Sequence, residues 1–432
     1  MISQITKFGF NGNPKIPGDK SISHRSIIIP SISNGICEVN NYLKSDDVIN
    51  TINSFIAMGV KIYENGNKII IEGKGLDSLR KPNKDLYLGN SGTSARLLTG
   101  LLSSQKFDSV LTGDSSLSSR PMNRIAEPLK KMNANIITNS GKMPLRIKGA
   151  SLKSAEIEIK IPSAQIKSGV ILAALNANGI TKIIENNISR NHTEIMLNAF
   201  EADINISKED SKKIITIKGK KELKSQNIDV PSDLSSSAFF IIAALINKES
   251  HLKLNNINVN PTRNGILIAL KKMGANISYS NNRTINNEEV CDIDVYSSNL
   301  NGCDLGPEIA KLMIDEYPIL SIAASFANST SVFRGLGELK VKESDRLELI
   351  NLNLQSCGVN CKIDNDDLYI FPSKEYQIKN NEIKTDFDHR IAMAFAVMGS
   401  KIGPLNIKNS DSINTSFPSF VKEFNSVGGN IT

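Results

Sequence analysis

Five short polar runs, each placed directly before an apolar segment, hold most of the side chains that could bind a small anion. They are GDKSISHR (18–25), GNSGTSAR (89–96), SAQIK (163–167), IDE (314–316) and DHR (388–390). A helix that begins in such a run offers free N–H groups and the positive end of its dipole to an anion. Lys20 and Arg25 add a point charge and a bidentate fork. If these helices point the same way, their N-termini converge on one cleft, which predicts a site for anionic substrates.

The alternative for any single run is plain helix capping, which is the usual role of Ser, Asp and Asn before a helix. A sixth run, SDLSSS (232–237), is typical of capping alone. Two further arginines lie in loops: Arg120 in GDSSLSSRPM (113–122) and Arg346 in KESDR (342–346). Taken alone, each is typical of a solvated surface. Five runs with possible anion ligands, all at the same position of a unit that repeats along the chain, favour anion binding over capping.

The runs recur because the chain contains six copies of one unit, spaced by roughly 70 residues. Each copy opens with a polar turn and an apolar helix, continues through a strand and a second helix, and ends at a turn of small residues. These turns are MGV (58–60), NAN (133–135), ADI (202–204), GAN (274–276), CGV (357–359) and GGN (428–430).

The apolar residues inside the copies follow two periods. Ile49, Ile52 and Ile56 have helical spacing, as do apolar residues at 125–132, 266–273 and 417–424. The first helices, such as AFFIIAALI (238–246), are apolar all round, which predicts burial on every side. Alternation after the turns, as at 60–63 and 359–363, predicts half-buried strands. Each copy is therefore expected to be a βαβαββ unit with one buried and one outer helix.

Six copies divide naturally into two sets of three, which predicts an α/β fold with two similar domains. The polar stretch GKKELKSQN (219–227) lies near the middle and is a candidate hinge, and a strand expected around residues 5–10 could join the second set. We expect one domain at 14–226 and the other at 1–13 plus 227–432, with the active site in the cleft between them. A simple solenoid would also repeat, but stacking does not require polar openings that differ from one another.

Composition limits the class of protein. The chain has 432 residues, of which 40% are hydrophobic and 22% charged, as in soluble globular proteins. The net charge of +7 indicates either a lysine-rich surface or attraction of anionic partners. Aromatic residues make up only 5% and no basic-aromatic motif occurs, which argues against a nucleic-acid partner. Small anionic substrates fit better.

The cysteines and the hydropathy pattern indicate the compartment. Five cysteines, an odd number in a long chain, predict no disulfide framework. The first residues, MISQITKFGF, lack the apolar run of a signal peptide, and no segment is long and apolar enough to span a bilayer. We therefore expect a cytoplasmic protein without a membrane partner.

Taken in order, the runs resemble the motifs of the 3-phosphoshikimate 1-carboxyvinyltransferase (EPSP synthase) family. The similar segments are PGDKSISHR (17–25), GNSGTSAR (89–96), GDSSLSSRPM (113–122), KESDR (342–346) and DHRIAM (388–393). SAQIK (163–167), RNHTE (190–194) and NPTR (260–263) resemble the class II branch. The resemblance implies two domains of three βαβαββ repeats each, an inside-out α/β barrel arrangement that closes over a cleft. One segment departs: SIN (412–414) offers no Lys where some members have one that contacts phosphoenolpyruvate.

The resemblance implies transfer of the enolpyruvyl group of phosphoenolpyruvate to the 5-hydroxyl of shikimate 3-phosphate. It implies that shikimate 3-phosphate is held by Lys20, Ser21, Arg25, Ser163, Gln165, Asp315 and Lys342. It implies that phosphoenolpyruvate is held by Lys20, Gly92, Arg120, Arg346 and Arg390. Ala164 and Arg190 complete the implied substrate-binding residues. Glyphosate, which competes for the phosphoenolpyruvate pocket in this family, is an expected inhibitor.

The implied reaction is an addition followed by an elimination, and it needs acid–base groups on both sides of the reacting carbon. The vinyl methylene gains a proton, the 5-hydroxyl loses one, and phosphate leaves as a methyl proton is removed. Asp315 is the candidate for the hydroxyl proton and Glu343 for the methylene, with Lys20 and His389 in support. The scheme requires no metal and no organic cofactor.

Two other functions fit parts of the pattern. The sister enzyme of peptidoglycan synthesis transfers the same group to a UDP-sugar, but it typically has a reactive cysteine in the loop corresponding to residues 113–122, where this chain has none. A basic repeat protein that binds nucleic acid would be retained on polynucleotides in a salt-dependent way. We expect a monomer that binds small substrates and no nucleic acid.

Overall fold

The computed structural model describes residues 1–66, 68–373 and 375–432, which form an α/β protein. In chain order the strands are β1 (Ile2–Ser3), β2 (Asn11–Gly12), β3 (Asn34–Asn40), β4 (Lys61–Asn65), β5 (Lys68–Lys74), β6 (Leu86–Tyr87), β7 (Ser109–Thr112), β8 (Asn135–Asn139), β9 (Lys142–Lys148), β10 (Glu156–Ile159), β11 (Ile180–Glu185), β12 (Ile204–Glu209), β13 (Lys212–Lys218), β14 (Ile228–Asp229), β15 (His251–Asn258), β16 (Ile277–Ile285), β17 (Glu288–Tyr296), β18 (Asp304–Leu305), β19 (Ser331–Phe333), β20 (Cys361–Asp364), β21 (Asp367–Ile370), β22 (Glu382–Ile383) and β23 (Leu405–Ile407).

The helices alternate with these strands. They are α1 (Lys20–Ser31), α2 (Asp46–Ala57), α3 (Gly92–Ser103), α4 (Ser115–Ser119), α5 (Asn123–Lys130), α6 (Ala164–Ala174), α7 (His192–Ala199), α8 (Leu234–Ile246), α9 (Gly265–Lys272), α10 (Pro307–Met313), α11 (Tyr317–Ser325), α12 (Arg346–Ser356), α13 (His389–Ile402) and α14 (Phe420–Ser426). Short 3-10 helices cover Gly337–Val341 and Ser410–Thr415.

Five of the six sheets of the described residues have four strands arranged in one pattern, and the sixth has three. Their strand orders are β14-β3-β5-β4, β6-β7-β9-β8, β10-β11-β13-β12, β16-β17-β15-β2, β18-β19-β21-β20 and β1-β23-β22. Strands on either side of a buried helix pair in parallel, as β10 does with β11 and β18 with β19. A hairpin then extends the sheet in antiparallel fashion, as β13 and β12 do beyond β11. The predicted α/β fold of βαβαββ repeats is confirmed.

The chain forms two compact units. The upstream unit comprises Gly18–Val230 together with Ile285–Glu288, and the downstream unit comprises Met1–Pro17, Pro231–Thr284 and Glu289–Thr432. Each unit has its own hydrophobic core. The chain passes between the units at residues 17–18 and 230–231, a few residues after the expected domain limits at 14 and 226. The expectation did not include residues 285–288 in the upstream unit. The polar stretch 219–227 lies within the upstream unit, so the chain crosses later than the candidate hinge.

The strand expected around residues 5–10 is replaced by two shorter ones in the described structure. β1 pairs with β23 and β2 pairs with β15, so both belong to sheets of the downstream unit. Residues between them form no strand. The N-terminal segment thus opens one repeat of the downstream unit and closes another.

The first helix of each repeat is buried, as its all-round apolar character predicts. Every residue of α8 is buried, and most of α3, α6 and α13 is buried as well. α3 and α6 pack backbone to backbone, since a Cβ at Gly100 would lie 1.8 Å from the Gly169 carbonyl oxygen. This contact sets the N-terminal openings of α3 and α6 side by side in the upstream unit.

The outer helices follow the sequence prediction less closely. Ile125 and Leu129 of α5 are buried as expected. In α2, however, Ile49 and Ile56 are 43% and 47% exposed. The buried face of that helix is formed by Val48, Thr51, Phe55 and their neighbours instead, so the predicted apolar face of α2 is wrong.

Left-handed backbone marks the turn of each repeat. Residues with positive φ at or beside these turns are Gly59, Asn133, Glu201, Gly274, Gly358 and Gly428. A left-handed residue is the usual way to end a helix and reverse the chain into a strand. Within the described residues, no helix combines the length and apolar character needed to cross a membrane.

Candidate active site

The opening of α1 combines a cap with two cations. The Asp19 carboxylate accepts a hydrogen bond from the Ile22 N–H at 2.8 Å and so caps the helix. The ammonium of Lys20, the first residue of the helix, pairs with the buried carboxylate of Asp47. Ser21 is half-buried beside it. Lys20 is therefore held by an anion of the protein while its side chain stays partly exposed.

Arg25 is buried and makes three hydrogen bonds from its guanidinium. Nε donates to Thr193 Oγ1 at 2.6 Å, Nη2 to Ser168 Oγ at 2.7 Å and Nη1 to the Ser21 carbonyl at 2.8 Å. Burial lowers the pKa of Arg25 to about 10, against the opposing charge of Glu194. The guanidinium therefore remains charged at neutral pH, with its orientation fixed by neutral oxygens.

The openings of α3 and α6 bring together another group of polar side chains. The Arg96 guanidinium donates to Gln165 Oε1 at 2.6 Å, and Gln165 Nε2 donates to Thr93 Oγ1 at 3.0 Å. A Cβ built on Gly92 would lie 2.7 Å from Arg96 Nη1 and 3.0 Å from Arg120 Nη1. Two guanidinium groups thus meet over a glycine at the first position of a helix, which is an arrangement suited to an anion.

The loop before α5 supplies Arg120 to this group. Its Nη2 donates to the side-chain oxygen of Asn90 and, at 3.2 Å, to Ser116 Oγ. The side chain is buried, unlike the solvated arginine that the local sequence alone would suggest. Arg120 is therefore a fixed cation beside Gly92.

The rest of the third polar run divides into accessible and buried members. Ser163 caps α6 by accepting from the Ile166 N–H at 3.4 Å, and Ser163, Ala164 and Gln165 are half-buried, as is Arg190. Lys167, at the end of the run, is fully buried and pairs with Glu194 at 2.8 Å. It also pairs with Glu185 at 3.0 Å. Lys167 therefore belongs to the interior of the upstream unit.

The candidate residues of the downstream unit centre on Arg346. Its guanidinium contacts three carboxylates: Glu343 at 2.5 Å, Asp388 at 2.7 Å and Asp315 at 3.2 Å. Burial alone would lower the pKa of Arg346, but these carboxylates raise it above its ordinary value. Arg346 is thus a permanent cation that brings both candidate proton-transfer carboxylates, Asp315 and Glu343, into one group.

Asp315 is surrounded by positive charge. Its Oδ1 lies 3.2 Å from Arg346 and 3.4 Å from the Lys342 ammonium. Arg390 Nη1 donates to the backbone carbonyl of Asp315 at 3.1 Å. Asp315 is half-buried, which leaves it reachable by a ligand. A carboxylate held between two cations is favoured in its ionised form, which is the form that accepts a proton.

α13 begins at this group. Asp388 caps the helix by accepting from the Arg390 N–H at 2.9 Å while it also accepts from Arg346. His389 is buried, and its Nδ1 lies 3.4 Å from Thr415 Oγ1. One carboxylate thus fixes the helix and the arginine together.

Sequence reasoning missed the residues that hold these cations. Asp47, Ser168 and Thr193 support Lys20 and Arg25. Thr193 lies in the RNHTE run and Asp388 in the DHR run, so the motifs contained a signal for them. Asp47 and Ser168 lie outside any motif and had none.

Comparison with known proteins gives one consistent result. The family model for EPSP synthase (3-phosphoshikimate 1-carboxyvinyltransferase) matches residues 8–424. A 3-phosphoshikimate 1-carboxyvinyltransferase of Vesicomyosocius okutanii subsp. Calyptogena okutanii is 43% identical over 98% of this chain and 96% of the relative. One from Persephonella marina is 42% identical over 99% of each chain.

Solved structures agree with the sequence relatives. A structure of EPSP synthase from Acinetobacter baumannii superposes with a TM-score of 0.86 at 40% identity, covering 99% of this chain and 98% of that one. The enolpyruvyl transferase NikO from Streptomyces tendae superposes with a TM-score of 0.78 at 12% identity, covering 100% of this chain and 98% of its own. At that identity the second likeness concerns the fold alone.

Proposed function

The chain belongs to the EPSP synthase family, and on that premise we propose which of its residues carry out the family's reaction. The enzyme transfers the enolpyruvyl group of phosphoenolpyruvate to the 5-hydroxyl of shikimate 3-phosphate. The products are 5-enolpyruvylshikimate 3-phosphate and inorganic phosphate, in the shikimate pathway to chorismate and the aromatic amino acids. Both substrates are polyanions, so the residues that hold them must supply fixed positive charge.

We propose that Arg25 is the main cation of the upstream unit for shikimate 3-phosphate. Three hydrogen bonds to protein oxygens fix its guanidinium, so the side chain loses little conformational freedom when the ligand binds. Other residues of the upstream unit that we assign to this substrate are Lys20, Ser21, Ser163, Ala164, Gln165 and Arg190. Asp315 and Lys342 are the residues assigned to it from the downstream unit.

Phosphoenolpyruvate is assigned to the two groups of guanidinium ions. In the upstream unit these are the side chains around Gly92, with Arg120 as the fixed cation. Lys20, the first residue of α1, is also assigned to phosphoenolpyruvate. In the downstream unit they are Arg346 and Arg390. The observation that carries this assignment is the meeting of two guanidinium groups over a residue that has no side chain.

Proton transfer is assigned to the carboxylates around Arg346. Asp315 accepts the proton of the 5-hydroxyl, because it lies between two cations and its side chain remains partly exposed. Glu343 is assigned to proton transfer at the methylene carbon, with Lys20 and His389 in support. Arg346 contacts both carboxylates, and its charge therefore couples them. The scheme uses no metal ion and no organic cofactor.

The finer properties follow from the same premise. We propose that the enzyme works as a monomer in the cytoplasm, that it binds neither nucleic acid nor membranes, and that glyphosate inhibits it by competing with phosphoenolpyruvate. The first test is release of inorganic phosphate, which is expected only when both substrates are present. Release with one substrate, or salt-dependent retention on polynucleotides, would contradict the proposal.

A pair of substitutions tests the assignment of the substrates. Arg25→Lys and Arg120→Lys keep the charge but remove the fork that binds an anion through two nitrogens. Loss of a hydrogen bond from a charged group costs about 1.5–3 kcal/mol, which is roughly a 10- to 150-fold change in a binding constant. We expect Arg25→Lys to raise KM for shikimate 3-phosphate and Arg120→Lys to raise KM for phosphoenolpyruvate. The exposed Arg146 provides the control Arg146→Lys, which should change neither.

A further inference from the structure

A buried chain of polar groups lies in the downstream unit beside Asp315. The Arg263 guanidinium donates to Asp233 Oδ1 at 3.0 Å and to Ser235 Oγ at 2.6 Å. The Ser235 hydroxyl in turn donates to Glu316 Oε1. Arg263, Ser235 and Glu316 are 3%, 1% and 2% exposed. The chain therefore runs from the NPTR segment, through the opening of α8, to the residue that follows Asp315.

The same carboxylate oxygen faces Arg390. Arg390 Nη1 lies 3.7 Å from Glu316 Oε1 and donates to the Asp315 carbonyl at 3.1 Å. Among the described residues, Nη1 is the guanidinium nitrogen of Arg390 with a protein partner, so Nε and Nη2 remain for a ligand. A guanidinium binds a carboxylate or phosphate best through two nitrogens. Glu316 and the carbonyl thus hold one corner of Arg390 and leave a fork for an anion.

The fold itself does not account for the Glu316 carboxylate. Glu316 stands at the N-cap of α11, yet its side chain makes no capping hydrogen bond. Its Oε2 is buried without a hydrogen-bond partner in the described structure. A buried polar atom without a partner costs free energy, and a buried charge costs more. A role in orienting Arg390 explains why such a group is present.

We propose that Glu316 is a positioning residue for phosphoenolpyruvate, that it acts by holding the Arg390 guanidinium, and that Ser235 and Arg263 hold Glu316 in turn. This rests on the proposed function, which assigns phosphoenolpyruvate to Arg390. The run SDLSSS at 232–237, which in sequence is typical of capping alone, then has a second task. Asp233 caps α8 and binds Arg263, while Ser235 carries the hydrogen bond to Glu316.

The test removes the charge and keeps the shape. Glu316→Gln retains an oxygen that accepts from Ser235 but no longer attracts Arg390. We expect KM for phosphoenolpyruvate to rise roughly tenfold or more, as for loss of one charge-assisted contact. KM for shikimate 3-phosphate should stay within about twofold and the melting temperature should not fall, because the buried charge itself is costly. Glu308→Gln, at an exposed carboxylate of the same unit, is the matched control and should change nothing.

Two further variants make every outcome decisive. Ser235→Ala removes one hydrogen bond and should raise the same KM by a smaller factor, so it replaces Glu316→Gln if that protein fails to fold. Arg390→Lys tests the premise. If Arg390→Lys raises KM for phosphoenolpyruvate while Glu316→Gln and Ser235→Ala do not, the role of Glu316 is refuted and the substrate assignment stands. If Arg390→Lys leaves that KM unchanged, the assignment and the inference both fall.

Discussion

A methyl group added at Gly92 tests the proposed phosphoenolpyruvate site at the glycine over which two guanidinium groups meet. The new Cβ of Gly92→Ala would lie 2.7 Å from Arg96 Nη1, 3.0 Å from Arg120 Nη1 and 3.8 Å from Gln165 Oε1. Gly92 is the first residue of α3 and its φ lies outside the left-handed region, so alanine suits its backbone. The strain therefore acts on the two guanidinium groups and leaves the helix intact.

The size of the effect follows from these distances. Atoms in ordinary contact lie about 3.5 Å apart, so Arg96 must retreat by roughly 0.8 Å and Arg120 by roughly 0.5 Å. The retreat disturbs the 2.6 Å hydrogen bond from Arg96 to Gln165. Displacement of the guanidinium groups also weakens the proposed contact of Arg120 with phosphoenolpyruvate. Loss of one hydrogen bond from a charged donor to the ligand costs about 1.5–3 kcal/mol, so KM for phosphoenolpyruvate should rise roughly 10- to 150-fold. Glyphosate, the proposed competitor, is slightly longer than phosphoenolpyruvate, so we expect the added methyl to exclude it more strongly and its inhibition constant to rise by a larger factor.

The assay is a pair of inhibition curves for parent and variant, both saturated with shikimate 3-phosphate. The control is Gly306→Ala, whose added methyl would meet the carboxylate of the exposed Glu308 side chain. It should leave both constants unchanged. If Gly92→Ala changes both constants equally, or changes neither, Gly92 does not discriminate between the two ligands and the reasoning is refuted.

Three other predictions concern catalysis, stability and pH. Asp315→Asn should lower turnover by about 100-fold or more without lowering the melting temperature, because it keeps the shape and removes the base; near-normal turnover would exclude Asp315 from proton transfer. Lys167→Met removes a fully buried cation from two buried carboxylates, Glu185 and Glu194, and leaves them the Lys213 ammonium at 3.9 and 2.9 Å. Urea titration should therefore show a loss in the free energy of unfolding near the low end of the about 3–5 kcal/mol expected when a buried pair loses a partner completely; a loss below about 1 kcal/mol would contradict this. Burial and the Lys20 ammonium hold the pKa of the His24 imidazole well below 6.5. As the pH drops below 6.5, the imidazole is protonated in the unfolded chain before it is protonated in the folded one, so the free energy of unfolding decreases as the pH decreases. His24→Asn should therefore flatten the decline of melting temperature between about pH 7 and about pH 5, and equal slopes would refute the argument.

The repeat architecture could be predicted because each copy shows its own turn and periodicity. The six turns coincide with left-handed residues, and the all-round apolar helices are buried. The outer face of α2 could not be predicted in the same way. That helix has apolar residues on two sides, and periodicity selected the isoleucines. Packing against α1 buries Phe55 and its neighbours and leaves Ile49 and Ile56 exposed.

The candidate site shows a similar division. Arg25, Arg120, Arg346 and Arg390 were found because their charges stand in recognisable runs. Some of the oxygens that fix them lie far away in sequence, as Thr193 does from Arg25. Only the packing of whole helices brings such pairs together, and helical or strand periodicity carries no information about it. The run at 232–237 was interpreted as capping for the same reason, since its contact with Glu316 spans two repeats.

The pairing of β2 with β15, and of β1 with β23, also governs when each unit can be finished during synthesis. Residues 1–17 are synthesised before the segments they bond to, which lie as far along the chain as β23 and residues 430–432. At 5–20 residues per second, those seventeen residues wait for roughly 20–80 s before the last partner emerges. The upstream unit closes much earlier, when β14 pairs with β3. It then lacks the segment Ile285–Glu288, in which Glu288 is the partner of His192 at 2.7 Å, and this segment follows roughly 3–12 s later. The nascent chain therefore carries a nearly finished upstream unit while residues 1–17 are still without their strand partners.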